Sequence, residues 1–93
     1  MTKRFVLITS PMTAEEEKRL AAALAPPLGW WHQLPNTWAI VDHASAHDGS
    51  YFRGLVQAIN HETRCLVVEV RDNNWTLRAP MAQGEWFRDH WEP

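Results

Sequence analysis

The sequence predicts an α+β fold, a four-stranded antiparallel sheet crossed on one face by two helices. Three observations predict it. Apolar runs of strand length fall at residues 2–9, on either side of a turn within 29–42, and at 65–70. Helical patterns separate the first run from the second and the third from the fourth. The second and third runs are joined by Pro35-Asn36, a two-residue turn suited to paired strands.

Composition bounds the answer. At 93 residues, 45% hydrophobic and 22% charged, the chain reads as one soluble globular domain, 1–93, with a thin core. A formal net charge of −2, with nine scattered Lys and Arg, excludes a basic nucleic-acid-binding protein and leaves room only for a local basic patch. The single cysteine, Cys65, excludes an internal disulfide and a Cys-rich zinc site; at the head of an apolar run it reads as a core residue. No N-terminal apolar run has the length of a signal peptide or a membrane span, so the expected compartment is the cytoplasm. Six tryptophans, against three phenylalanines and one tyrosine, exceed what a small two-layer domain easily hides. Some are therefore expected under a tail or in a subunit contact.

In the first strand Phe5, Leu7 and Thr9 oppose Val6 and Ile8, so both faces are apolar, as in a central strand covered on both sides. Thr13 and Glu16 form a capping box for the first helix, which runs to about Leu24 and is stopped by Pro26-Pro27. Glu15, Glu16 and Glu17 favour the positive end of its dipole and read as a solvated face. In the hairpin, Trp30, His32 and Leu34 share one face and Trp31 and Gln33 the other, while Trp38 and Ile40 oppose Ala39 and Val41. Residues 42–49 read as a loop. Asp48 or Ser50 caps the second helix, whose Phe52, Leu55, Val56 and Ile59 recur at helical spacing. The fourth strand, 65–70, is β-branched and nearly continuous in its apolarity. A short fifth strand is expected around residues 75–77, then a last helix from Pro80 across about 81–90.

The order βαββαβ is the split-βαβ, or ferredoxin-like, arrangement, with sheet order 4-1-3-2 and both helices on one face. The other face then needs a cover. Either the C-terminal extension, 75–93, folds across it, or a second copy packs against it; a homodimer clasped by the extension is the expectation. Trp30, Trp31, Trp38, Trp75, Trp86 and Phe87 are the candidate interface residues. His32, between apolar neighbours, reads as a structural, hydrogen-bonded residue that orders the hairpin.

The run Gly29-Trp30-Trp31-His32, then Leu34, Thr37-Trp38 and Ile40, followed by Leu66-Val67-Val68-Glu69-Val70, Trp75 and Trp86-Phe87, resembles the SinR-like family of small bacterial proteins. That family is similar in fold to the small CRISPR adaptation nuclease and to VapD-type toxins. The resemblance implies a ferredoxin-like fold and a dimer. Nucleases of the wider group carry a metal-binding aspartate at the end of the first strand, where this chain has Ser10. A hydroxyl is a poor substitute for a carboxylate on a hard divalent ion.

The topology gathers Ser10, His61 and Glu62 at one sheet edge, the residue types of nucleophilic or acid–base chemistry without a supporting spacing rule. Asp42, His43, His47 and Asp48 cluster at the opposite edge; His43 and His47 would suit a metal only on a helix, and they lie in a loop. The expected function is thus a non-catalytic, dimeric protein-interaction module without cofactor or membrane. Fold analogy suggests a setting in phage defence or counter-defence, such as inhibition of a nucleic-acid-processing complex. The alternatives are a magnesium- or manganese-dependent endoribonuclease or toxin, and a single-stranded RNA binder that stacks bases on its tryptophans.

Overall fold

The computed structural model describes residues 2–72 and 75–91. Its elements are β1 (Lys3–Thr9), α1 (Ala14–Ala23), β2 (Leu28–Leu34), β3 (Thr37–Asp42), α2 (Gly49–Ile59), β4 (Cys65–Val70) and α3 (Met81–Trp86), followed by a π-helical segment over Phe87–Trp91. The strands form one antiparallel sheet in the order β2-β3-β1-β4, compatible with a ferredoxin-like fold.

Alternation along the strands divides the protein into two cores. On the helix side, Phe5, Leu7, Trp38 and Ile40 pack with Leu20 and Leu24 of the α1 region and with Phe52 and Val56 of α2. On the other side, Trp31, Ala39 and Val41 pack with Phe87 and Trp91, and Val6, Val70, Trp75, Leu77 and Trp86 lie against them.

Local chemistry fixes the helices. The Thr13 hydroxyl accepts the Glu16 N–H at 3.1 Å, and Glu16 Oε1 accepts the Thr13 N–H at 2.9 Å, so two orphan donors of α1 are satisfied reciprocally. The second Glu16 oxygen accepts from Asn60 Nδ2 at 2.9 Å, tying the start of α1 to the end of α2. Asp48, rather than Ser50, caps α2 by accepting the Tyr51 N–H at 3.2 Å. Asn36 turns the β2–β3 hairpin with φ of 59°, a left-handed conformation that asparagine tolerates.

Strict alternation fails in β2. A register shift between Trp31 and Leu34 inserts one extra residue, and Leu34 stands opposite Thr37. Trp30 and His32 keep the helix side, packed on Trp38. Leu34 does not share their face, as the sequence pattern predicts, but turns to the face of Trp31 and Ala39.

The C-terminal segment folds across the protein's own sheet. Trp31 Nε1–H donates to the Gln83 carbonyl at 2.9 Å. The buried Arg4 guanidinium donates to the carbonyls of Trp91 and Arg71 at 3.4 and 3.2 Å, and its centre lies 5.8 Å from the Trp91 ring centroid. The fifth strand expected at residues 75–77 does not form. Trp75 and Leu77 pack, partly buried, against the second core instead of pairing with a sheet edge. Packing against the second core removes their apolar surface from water, while the backbone groups left without a ladder partner can bond to water. The last helix is α-helical only to Trp86 and then widens into the π turn, which sets Phe87 and Trp91 together on the sheet.

At the end of β3, Asp42 is fully buried and accepts the backbone N–H groups of Ala44 (3.1 Å), Ala46 (2.9 Å) and His47 (2.8 Å). Three donors on one carboxylate fold the 42–48 loop back on itself.

Trp91→Ala removes a ring at the centre of the second core and should cost about 3–5 kcal/mol in urea unfolding; a loss below about 1 kcal/mol would mean that the segment is not docked. The Thr13 N–H, then the Asn60 amide, hold the Glu16 carboxyl below its usual range. A carboxyl so lowered stabilises the fold above its unfolded-state value, and that contribution is lost as pH falls through the folded-state value. The melting temperature should therefore fall more steeply on acidification in the wild type than in Glu16→Gln; parallel curves would contradict the role of this cap.

Candidate functional site

The polar sheet edge is assembled as the topology requires. The Thr9 N–H donates to the Asn36 carbonyl and the Ser10 N–H to the Arg64 carbonyl, both at 2.8 Å. The Arg64 N–H in turn donates to Ser10 Oγ at 3.0 Å, so this hydroxyl extends the β1–β4 ladder by one pair. His61 and Glu62 are exposed on the neighbouring loop, where the Glu62 N–H donates to Asn60 Oδ1 at 3.0 Å. Among the described residues no hydrogen bond joins Ser10 to His61 or Glu62. A hydroxyl used as a backbone acceptor beside two solvated side chains does not make a nucleophile–base contact.

The opposite edge is similarly committed to structure. Asp42 holds its loop, His47 stacks on Tyr51 at 3.8 Å, and Lys3 Nζ donates to the His47 carbonyl at 3.3 Å. Among the described residues, no group of three or more His, Cys, Asp and Glu is placed to hold a metal ion.

His32 is the most elaborately held imidazole. Nδ1 lies 2.8 Å from the Thr37 carbonyl across the hairpin, and Nε2 lies 2.7 Å from Glu17 Oε2 on α1. The ring stacks on Trp38 at 3.9 Å with planes 2° apart. A carbonyl only accepts, so Nδ1 carries a proton there; the other nitrogen shares its hydrogen bond with the carboxylate. Both ring nitrogens thus serve the protein, and neither is left to abstract a proton from a substrate. The Glu17 contact was not legible in the sequence, where Glu17 belongs to a solvated acidic turn.

The tryptophans are mostly interior. Trp38 sits in the helix-side core, Trp31 and Phe87 in the second, and Trp75 and Trp86 are half-buried against that second core. Trp30, on the edge strand β2, is 38% exposed. On the sheet face away from the helices, the uncovered residues are aliphatic. Leu34 stands opposite Thr37, Thr37 opposite Ile8, and Ile8 opposite Leu66, so one row crosses all the strands on the face away from α1 and α2. Leu34, Ile8 and Leu66 are 45, 44 and 58% exposed, and Val68, the next residue of β4 on that face, is 45% exposed. The C-terminal segment covers the half of this face near Val41 and Val70 and stops short of this stripe. Where segment and stripe meet, Leu34, Trp31, Trp75, Leu77 and Phe87 line a cavity of about 310 Å³. The signal in the sequence was the two-faced apolarity of the first, third and fourth strands, which leaves a second sheet face in need of a cover.

Comparison with protein-family models, with curated proteins and with solved structures finds no match to this chain. No helix among the described residues is long and apolar enough to cross a membrane.

His32→Ala should lower the melting temperature, because it removes the hairpin bond, the link to α1 and the stack on Trp38 together. A melting temperature equal to that of the wild type would show that the imidazole holds nothing.

Proposed function

We propose that this protein is a non-catalytic, dimeric protein-interaction module, akin in fold to the SinR-like proteins its hairpin resembles. The observation that carries the reading is the uncovered stripe Leu34–Ile8–Leu66 with Val68, running into an aromatic-lined cavity. Contiguous aliphatic surface beside a pocket is the usual form of a protein-docking site, with the pocket receiving an anchoring side chain and the stripe excluding water around it. The acidic balance, a formal net charge of −2, argues against a phosphate backbone as partner. Trp31 and Trp38, 5 and 1% exposed, are buried, which weakens the RNA-stacking alternative and leaves it only Trp30 on the β2 edge. The backbone role of Ser10 weakens the metal-dependent nuclease alternative. The task suggested by fold analogy is inhibition of a nucleic-acid-processing complex.

Affinity purification from the native host, run in parallel on wild type and Leu66→Lys, tests this reading. A protein partner retained by the first and lost from the second is expected. Recovery of RNA without a protein partner, or magnesium- or manganese-dependent RNA cleavage abolished in Ser10→Ala or Glu62→Ala protein, would overturn it.

A further inference from the structure

We propose that a second copy of this chain docks on the free edge of β4, the two β4 strands pairing antiparallel about a two-fold axis through Val67. The proposal rests on the interaction reading above and names the partner and geometry of the dimer.

The edge is open and in phase for pairing. Among the described residues β4 has β1 as its only strand neighbour. The bonded pair Ser10–Arg64 sets the ladder's alternation: Leu66, Val68 and Val70 address β1, and the backbone groups of Cys65, Val67 and Glu69 point outward. Edge strands of monomers are normally blunted by a bulge, a proline or a lysine. The opposite edge, β2, carries such a bulge. β4 reads Cys-Leu-Val-Val-Glu-Val and keeps an unbroken register with β1 along its whole length.

The one charge on β4 finds its complement in this pairing. With the axis through Val67, Glu69 of one copy stands opposite Cys65 of the other, on the helix side. Beside Cys65 and Val67 lies a groove of about 340 Å³, formed with the first turns of α2 and lined by Arg53 and by Asp48, whose carboxylate caps α2 through the Tyr51 N–H. Arg53 is exposed and forms no ion pair among the described residues, while Glu69 has only the solvent-exposed Arg71 at 3.2 Å. The same pairing keeps the two Glu69 carboxylates apart and gives each copy a Glu69–Arg53 contact with its partner, the reciprocal pattern of an isologous interface. On the other face Leu66 lies beside the partner's Val68, and Val68 beside the partner's Leu66. The two aliphatic stripes then join into one, across an eight-stranded sheet.

Sedimentation equilibrium of the full chain, with circular dichroism to confirm folding, tests the arrangement. The wild type is expected to be a dimer at tens of micromolar. Glu69→Arg and Arg53→Glu should each weaken it by roughly tenfold or more, and the double charge exchange should restore most of the loss. Both residues are solvent-accessible, so their variants should fold; Leu66→Lys, also exposed, should dissociate the dimer. A monomeric wild type overturns the proposal. If a separate protein partner is still lost in Leu66→Lys, that same result removes the dimeric part of the proposed function and leaves its protein-interaction part standing. A dimer indifferent to all three single changes, or singly weakened variants not rescued in the double, overturns the β4 geometry.

Discussion

Burial of Trp31, Phe87 and Trp91 against Ala39, Val41 and Arg4 holds the C-terminal segment across the sheet, and the rest of the architecture depends on that closure. A sheet with a central strand as apolar as β1 must be covered on both faces. The helices cover one face with a core built on Phe5, Leu7 and Trp38. The other face is closed by aromatic rings, with Arg4 donating to the Trp91 and Arg71 carbonyls on either side of the segment. Among the described residues closure is partial. The half of the face nearest Val41 becomes a second core, and the half nearest Ile8 and Leu66 stays open.

The polar groups that most resemble chemistry are drawn into the same task of closure. Asp42 has three backbone donors, Ser10 extends a ladder, Glu16 joins the two helices, and His32 binds a hairpin carbonyl and a helix carboxylate. In a domain with so thin a core, each of these bonds replaces water for a backbone or side-chain group that would otherwise be orphaned. On the sheet face itself, the residues left uncovered are aliphatic: Leu34, Ile8, Leu66 and Val68.

Much of the frame was legible because it is local. The Thr13–Glu16 box, the Phe52–Val56 spacing, the Pro35-Asn36 turn and the β-branched fourth strand each announce their element. The misreadings share a cause: tertiary packing overrode local pattern. The bulge in β2 reverses Leu34 with no glycine or proline to announce it. Trp75 and Leu77 alternate like a strand, yet the sheet face draws them down from the edge. Trp86 through Trp91 reads as plain helix, but winds wider to bring two rings onto the sheet. The site was the least legible part. Tryptophans draw the eye as interface anchors, whereas most of these rings are interior, and the exposed Ile8, Leu66 and Val68 look in sequence like ordinary core residues.

The measurement that bears most directly on an open sheet face and edge is amide hydrogen exchange of the whole chain, resolved by residue, across a range of protein concentration. The outward amides of Cys65, Val67 and Glu69 should become protected as concentration rises, while the β2 edge at Trp30 and His32 exchanges at a constant rate. Exchange at β4 that stays fast and independent of concentration would contradict an interface there.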